Sequence, residues 1–271
     1  MRALVLGANG QLGTELVRLL GPESAVPHGE VSITDAGAVE ALIEGRKPEV
    51  VFNCAAYNAV DRAESERDAA YAINADGPRI VAGACRRNDA WFVHFSTNFV
   101  FDGAGAEPYV ESDVPAPLSV YGSSKLAGEE NALEEGSHVL VVRTAAVFGT
   151  TTGRSFPERI VQRAKAGEKL RVVSDQTINP TYARDLASAA VDLAGERFAG
   201  IVHGVADGCA GWDEFARAAL AESGLPAEVE SILTDAFPTP ARRPVNGCLA
   251  SIRYQPLRHW KDAVADWAKN P

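Results

Sequence analysis

Short apolar runs alternate with longer amphipathic stretches through the first half of the chain. Four runs are predominantly apolar and end at polar residues or glycine, as buried parallel strands do. They span residues 3–6, 50–53, 92–96 and 139–143. The stretches between them have helical spacing, such as Leu12, Leu16 and Leu20 before Gly21-Pro22. A further strand within residues 24–30 has a weak pattern and is predicted to be short. The rhythm predicts a doubly wound parallel α/β sheet.

The pattern changes after Gly149, where strand-like runs become scarce. Helical spacing continues at residues 156–167, 181–194, 211–224 and 260–269. We predict a dinucleotide-binding domain of residues 1–149, joined by a returning segment of about 177–203. Residues 150–176 and 204–271 are predicted to form a smaller, discontinuous substrate-binding lobe over one end of the sheet.

A glycine-rich turn follows the first predicted strand directly and reads Gly7-Ala8-Asn9-Gly10-Gln11-Leu12-Gly13. Glycines at such a junction let the backbone approach a pyrophosphate, and the helix that follows supplies free N–H groups. The spacing is Gly-x-x-Gly-x-x-Gly rather than the usual Gly-x-Gly-x-x-Gly of a Rossmann fold. A turn that binds nothing is the alternative, and the position straight after a buried strand weighs against it.

Tyr121 and Lys125 form a Tyr-x-x-x-Lys pair where a helix is predicted to begin. Their spacing places both side chains on one helical face. An ammonium near a phenol is expected to lower its pKa, which helps Tyr121 to exchange a proton at neutral pH. Thr97, after the strand at 92–96, is expected to hydrogen-bond the same substrate oxygen. With the glycine turn, the pair predicts hydride transfer involving a nicotinamide cofactor, although alone it also fits an ordinary surface helix.

Longer strings carry a family resemblance over nearly the whole chain. They are residues 7–13, 53–64, 96–103, 121–129, 142–144, 175–182 and 238–246. In these strings the chain resembles the extended short-chain dehydrogenase/reductases, and within them the dTDP-4-dehydrorhamnose reductase family. Residues 55–61 and 238–246 are much more specific than a glycine turn.

The resemblance implies the NAD(P)H-dependent reduction of a dTDP-linked 4-keto-6-deoxyhexose to the 4-hydroxy sugar, a step of deoxysugar biosynthesis. It implies that the catalytic residues are Thr97, Tyr121 and Lys125. The cofactor-binding residues that it implies are Gly7, Gly10, Gln11, Leu12, Gly13, Ser32, Ile33, Ala55, Ala56, Tyr57, Tyr121 and Lys125. The substrate-binding residues that it implies are Thr97, Asn98, Ala146, Arg242 and Arg243. A guanidinium fork such as that of arginine suits a diphosphate.

Several positions depart from the family pattern. Asn98 and Phe99 stand where many members have Asp and Tyr, Ala146 replaces a frequent Trp, and Ser32 falls where relatives have Asp. With the catalytic residues intact, we interpret these changes as retained reductase chemistry with an altered sugar preference. Loss of activity by genetic drift is the competing interpretation.

Cofactor choice depends on the segment after the second strand, which offers Glu30 and Asp35 but no arginine. An acidic residue there favours NAD and an arginine favours NADP. Asp35 is expected to cap the helix that begins near Ala36. The residues therefore permit either NADPH or NADH, and the family's use of NADPH tilts the expectation slightly toward it.

Composition narrows the class of protein further. A net charge of −10 and a pI near 5.1 argue against nucleic-acid or membrane-surface binding. No apolar run approaches the roughly 20 residues of a membrane span. The four cysteines are widely spaced and are expected to be reduced thiols of a cytoplasmic protein. We expect no metal site, a core position for His94, and solvated acidic clusters at 61–68 and 129–130. A homodimer is left open.

Two other functions fit the same residues. A nucleotide-sugar epimerase or dehydratase of the extended family would keep its cofactor bound through a full cycle. Dehydratases also need an added carboxyl beside the catalytic threonine, and Asn98 speaks against one. A non-catalytic subunit that binds a dinucleotide would associate with a larger enzyme and show no turnover.

Overall fold

The computed structural model describes residues 1–26, 29–136, 138–149 and 155–269. The first half comprises β1 (Ala3–Leu6), α1 (Gln11–Leu20), β2 (Ala25–Val26), α2 (Ala36–Arg46), β3 (Val50–Asn53), α3 (Val60–Ala63), α4 (Arg67–Tyr71), α5 (Gly77–Arg87), β4 (Trp91–Thr97), α6 (Val120–Glu134) and β5 (Val139–Thr144). The second half comprises α7 (Phe156–Lys165), β6 (Leu170–Val173), β7 (Thr177–Ile178), α8 (Ala183–Gly195), β8 (Gly200–His203), β9 (Ala206–Asp207), β10 (Ala210–Gly211), α9 (Trp212–Glu222), β11 (Val229–Ile232), β12 (Leu257–His259) and α10 (Trp260–Lys269).

The central sheet has the order β2-β1-β3-β4-β5-β8, and all of its neighbours are parallel. The doubly wound α/β fold and its four clear strands are therefore confirmed, and β2 is as short as predicted. In β4 and β5, Ser96 pairs with Arg143 and Thr97 pairs with Thr144. The carboxyl ends of these two strands are thus level, and the side chains that follow them face a common edge.

Alternation along each strand divides the core into two layers. Leu4 and Leu6 of β1 pack in one cluster with side chains of α2 and α5, whereas Val5 packs in the other with α1 and α8. Successive strand side chains point to opposite faces, so these apolar strands bury both surfaces of the sheet. Helices therefore cover both faces of the sheet and leave its carboxyl edge for the segments that follow the strands.

Elements of the second half build a wall beyond that edge. The pairs β7–β10, β6–β11 and β9–β12 are short, and an aromatic cluster packs between them and the helices. Its largest members are Phe148, Tyr182, Phe215, Trp260 and Trp267. The four helices predicted after residue 155 are confirmed, and α8 packs against α1. The division into two domains stays a prediction, and residues 150–154, where the lobe was predicted to begin, lie outside the described residues.

One acidic residue does not behave as the sequence predicted. Glu129 was expected to be solvated, but its side chain is 1% exposed and paired with Arg143, which is 2% exposed. Arg143 donates from Nε at 3.0 Å and from Nη2 at 2.7 Å to the carboxylate. The neighbouring Gly128 explains the burial, because a Cβ there would lie 2.0 Å from the carbonyl oxygen of Asn74. This close approach presses α6 into the molecule.

The expectation of four reduced thiols is also wrong. Cys209 and Cys248 form a disulfide, with Cα atoms 6.1 Å apart, while Cys54 and Cys85 are free. Asn179 joins the two segments, since its Nδ2 donates to the carbonyl of Gly208 at 3.1 Å and its Oδ1 accepts from Leu249 N–H at 2.8 Å. Residues 39 positions apart are therefore brought together by one buried amide.

Candidate active site

A cavity of about 840 Å³ lies at the carboxyl edge of the sheet. Its floor is formed by the segments that follow β1, β3, β4 and β5, the place where doubly wound sheets bind ligands. The second half of the chain supplies the opposite wall. That wall includes Phe156, Arg159, Arg163, Arg171, Gln176, Trp212, Phe237, Thr239 and Arg243.

The glycine turn forms a tight backbone cradle at one end of the cavity. Gly7 has φ +74°, and a Cβ on it would lie 2.7 Å from the backbone nitrogen of Ala55. Gly10 N–H donates to the Gly7 carbonyl at 3.0 Å and begins α1 without a side-chain cap. The buried Oε1 of Gln11 also lacks a hydrogen-bond partner among the described residues. Free N–H groups at a helix start suit a phosphate, so these residues fit a dinucleotide.

Gly13→Ala is expected to destabilise the fold by about 1–3 kcal/mol and to weaken dinucleotide binding. A Cβ on Gly13 would lie 2.3 Å from the Gly7 carbonyl oxygen, where backbone meets backbone. Thermal denaturation and titration with a nicotinamide dinucleotide measure the two effects. Gly45→Ala is the control, since nothing lies within 4 Å of a Cβ there. A Gly13 variant as stable as the Gly45 variant would contradict the prediction.

Thr97 and Asn98 stand at the end of β4 and line the cavity. Thr97 Oγ1 accepts from Phe99 N–H at 3.2 Å and donates to Asn98 Oδ1 at 3.3 Å. Asn98 Nδ2 in turn donates to the Gly247 carbonyl at 2.9 Å. A carboxylate has no proton to donate to that carbonyl, so the amide at position 98 makes a contact that an aspartate there could not make.

Tyr121 lies in the first turn of α6, which Ser119 caps by accepting from Gly122 N–H at 3.1 Å. Its ring meets that of Phe99 edge-on, with centroids 5.4 Å apart. Burial raises the pKa of Tyr121, and a hydrogen bond with Thr97 lowers it. The structure thus brings the predicted proton donor and the predicted oxygen-binding residue together.

Lys125 lines the same cavity, but its contacts differ from those predicted. Its Nζ donates to the Phe95 carbonyl at 2.7 Å and lies 3.3 Å from Nε2 of His94. Burial lowers the pKa of Lys125 to about 8, while the Glu129 carboxylate acts in the opposite direction. The expected lowering of the Tyr121 pKa by Lys125 is not found, because the amine of Lys125 is directed at β4.

The predicted cofactor residues fall into two groups. Those that line the cavity are Gly10, Gln11, Leu12, Gly13, Ala55, Ala56, Tyr121 and Lys125. Gly7 supports the turn from below, and Ile33 is buried in the core beside α2. Ser32 is exposed and its hydroxyl bonds that of Thr34 at 2.8 Å. The Tyr57 hydroxyl donates to Glu66, which holds its ring outside the cavity lining.

The acidic residues near Ser32 have structural partners. Asp35 caps α2 by accepting from Ala38 N–H at 3.0 Å, which confirms the sequence prediction. Glu30 lies 3.5 Å from the guanidinium of Arg46. These contacts occupy the carboxylates that were considered for ribose binding.

Among the predicted substrate residues, Thr97, Asn98, Ala146 and Arg243 line the cavity. Ala146 has a backbone φ of +42°. Residues other than glycine rarely adopt this left-handed conformation, and those that do are often found at functional sites. Arg243 donates to both oxygens of Asp61, at 3.0 and 2.8 Å, and holds the pKa of that carboxyl below its usual value. Arg242 is exposed and outside the lining.

Sequence reasoning missed the basic wall of the cavity. Arg159 and Arg163 of α7 lie one helical turn apart, and Arg171 of β6 stands beside them in the lining. Arg163 is paired with Glu168 at 2.7 Å, and Arg171 lies 3.4 Å from Glu230. The i, i+4 spacing of the two α7 arginines was visible in the sequence. Their placement over the sheet was not.

Comparison with known proteins agrees with this arrangement. The profile of the family described as "RmlD substrate binding domain" matches residues 1–270. The chain belongs to this family, that of the dTDP-4-dehydrorhamnose reductases. A Mycobacterium tuberculosis dTDP-4-dehydrorhamnose reductase is 41% identical, over 97% of this chain and 91% of that protein.

Two further members bear on the site. A probable dTDP-4,6-dihydroxy-2-methyloxan-3-one 4-ketoreductase of Streptomyces antibioticus is 37% identical, over 98% of this chain and 94% of that protein. The crystal structure of a Bacillus anthracis dTDP-4-dehydrorhamnose reductase in complex with NADP superimposes with a TM-score of 0.96. It is 32% identical and covers 100% of this chain and 99% of its own. The family resemblance expected from the sequence is confirmed.

Within the described part of the chain, no helix combines the length and apolar character needed to cross a membrane. The same residues contain no group of three or more His, Cys, Asp or Glu side chains arranged to hold a metal ion.

Proposed function

We propose that this protein is a cytoplasmic NADPH-dependent ketoreductase that converts a dTDP-linked 4-keto-6-deoxyhexose to the 4-hydroxy sugar. One observation carries the proposal: Thr97, Tyr121 and Lys125 line the same cavity as the uncapped start of α1. A proton donor and a dinucleotide cradle thus share one space. The reductase and ketoreductase activities for which these family members are named, and the NADP bound to one of them, support the same reaction.

We assign dinucleotide binding, proton donation and stabilisation of the substrate oxygen to different residues of the cavity. The backbone of Gly10 to Gly13 and the segment of Ala55 and Ala56 would hold the dinucleotide, with Gly7, Ser32, Ile33 and Tyr57 supporting its adenosine side. The nicotinamide, when bound, supplies the hydride. Tyr121 donates its hydroxyl proton to the carbonyl oxygen, and Thr97 hydrogen-bonds that oxygen as negative charge develops. Lys125 completes the catalytic set: its amine is directed at β4 rather than at the phenol, so we assign it to contact with the dinucleotide that would lie beside Tyr121.

The basic wall of the cavity, formed by the second half of the chain, suits an anionic sugar nucleotide. The whole chain carries a net charge of −10, which repels such a substrate at a distance. Arg159, Arg171 and Arg243 line the cavity and reverse the sign of the charge locally. We assign the diphosphate to this side, with Arg242 at the exposed rim. Asn98 and Ala146 would contact the sugar.

The decisive experiment follows nicotinamide absorbance with purified protein and dTDP-4-dehydro-rhamnose, with NADPH and NADH in parallel. We expect consumption of the reduced cofactor, faster with NADPH. Consumption with NADH alone would overturn the cofactor assignment. A dinucleotide that binds without any turnover, on this sugar or on other keto-sugars, would favour a binding subunit over an enzyme.

Ala146→Trp is expected to narrow the range of accepted keto-sugars. The residue lines the cavity with a single methyl group, so an indole there would reduce the space available to the sugar. Relative kcat/KM values over a panel of dTDP-keto-sugars measure the effect. Ala104→Trp, at an exposed position outside the lining, is the control. An unchanged profile in the Ala146 variant would show that this position does not contact the sugar.

A further inference from the structure

Three buried polar side chains form a continuous chain beneath the cavity. Asn53 ends β3, His94 lies in the middle of β4, and Lys125 reaches down from α6; they are 1%, 0% and 2% exposed. Asn53 Nδ2 lies 3.3 Å from Nδ1 of His94, and His94 Nε2 lies 3.3 Å from Lys125 Nζ. These hydrogen-bonded side chains therefore connect β3, which precedes Ala55, to Lys125, which lies one helical turn from Tyr121.

The orientation of the Asn53 amide is fixed from one side. The backbone N–H of Ala55 donates to Asn53 Oδ1 at 3.2 Å, and an N–H group has only a donor to offer. The amide must then direct its NH₂ group at His94, so Nδ1 of the imidazole accepts. A neutral imidazole carries one proton, and here that proton lies on Nε2. Burial, together with the nearby Lys125, holds the pKa of His94 well below its usual value, which keeps the ring neutral.

This tautomer constrains Lys125. An ammonium has donors only and would face the Nε2–H of His94 donor to donor. A neutral amine has a lone pair that accepts from Nε2–H while one of its own hydrogens is donated to the Phe95 carbonyl. The hydrogen bonds around Lys125 are thus all satisfied only when it is an amine.

Among the charged groups around Lys125, the Glu129 carboxylate acts against this preference, because it raises the pKa of Lys125 while burial lowers it. The charge of Glu129, which also lies on α6, is balanced by its buried ion pair with Arg143 of β5. Cys54, after β3, has its thiol pKa raised by burial and stays uncharged. Burial likewise raises the pKa of Tyr121, the other titratable side chain on this face of α6.

We propose that His94 is a positioning residue, which Asn53 orients so that its Nε2–H stabilises the neutral amine form of Lys125. The inference rests on the proposed function only in giving Lys125 a part in the reaction. It makes Lys125 a group that changes charge near neutral pH rather than a permanent cation. The binding of substrate and cofactor in the cavity beside Tyr121 would then depend on whether Lys125 is protonated.

The first test needs no substrate. Nitrogen-15 NMR of the histidine rings in the whole protein at neutral pH distinguishes Nε2–H from Nδ1–H imidazoles. We expect His94 to be the Nε2–H tautomer. His203 is the internal control, because its Nδ1 faces the Ala250 carbonyl at 2.8 Å and must carry the proton. An Nδ1–H or doubly protonated His94 would overturn the proposal, whether or not the protein turns over a keto-sugar.

The second test uses Asn53→Asp to reverse the direction of the hydrogen bonds from residue 53 through His94 to Lys125. A carboxylate accepts from Nδ1–H, so His94 should switch tautomer and offer a lone pair to a Lys125 ammonium. We expect the NMR signature of Nδ1–H, and an alkaline limb of the pH–kcat profile that moves up by about one pH unit or more. A shifted limb with His94 still Nε2–H would mean that the new charge alone acts, which would overturn the proposal. If the variant does not fold, the spectrum of the native protein decides.

Discussion

Replacing Tyr121 with Phe is expected to reduce turnover of the keto-sugar by roughly two to four orders of magnitude, the usual effect of losing a general acid. The phenol is buried beside Thr97, and the substitution removes only its hydroxyl, so the packing against Phe99 remains. Rates of NADPH oxidation at saturating substrate measure the loss. Dinucleotide affinity should change little, because the cradle at Gly10 to Gly13 is untouched.

Tyr254→Phe is the matched control, since it deletes a hydroxyl from a residue outside the cavity lining. It should retain full turnover and the same unfolding temperature as the native protein. If Tyr121→Phe turned over at a comparable rate, another group would have to donate the proton and the proposed mechanism would be wrong. Equal losses in both variants would instead indicate a general effect of removing a phenol hydroxyl.

Arg143→Met is expected to lower the free energy of unfolding by about 3–5 kcal/mol. Methionine fills much of the space, but the carboxylate of Glu129 is then left buried with its principal partner gone. Leaving one charge unpaired costs more than the ion pair itself contributes. Chemical denaturation at neutral pH measures the difference, and thermal denaturation should show a clearly lower midpoint.

The double variant Glu129→Gln/Arg143→Met is the control for that prediction, because it removes both charges. It should be more stable than Arg143→Met alone. A single variant as stable as the native protein would mean that Glu129 takes up a proton or reaches water when its partner is removed. A double variant no better than the single one would assign the loss to packing.

Local sequence was enough for the parts of the fold whose contacts are local. The glycine turn, the Asp35 cap and the start of α6 each depend on residues within a few positions of one another. The central strands could be predicted because both of their faces are buried, which requires apolar residues at nearly every position. The candidate catalytic residues likewise come from a short motif on one helix and from the end of one strand.

What the sequence could not provide depends on distant partners. Asn98 reads as a weakened Asp until Gly247, 149 positions later, proves to be its acceptor. The charged pattern of α6 does not reveal that Glu129 is paired with Arg143 of β5, because the close approach of the helix at Gly128 depends on Asn74, which is distant in sequence. For the same reason Lys125 was expected beside the phenol, whereas its amine meets His94 and the Phe95 carbonyl. The arginines of the basic wall were overlooked because nothing near them in sequence marks the cavity.

The ion pair between Asp61 and Arg243 has a consequence for biosynthesis. Its two partners are 182 residues apart, and Arg243 belongs to the wall that encloses the cavity. During translation the sheet strands β1 to β5 emerge early, but this wall lacks Arg243 and its ion pair with Asp61 until residue 243 has left the ribosome. A chain truncated after α8, which packs against α1, but before residue 243 would keep the elements of the dinucleotide cradle and lack the Arg243 side of the cavity. We expect the capacity to bind the cofactor to arise before the capacity to use it.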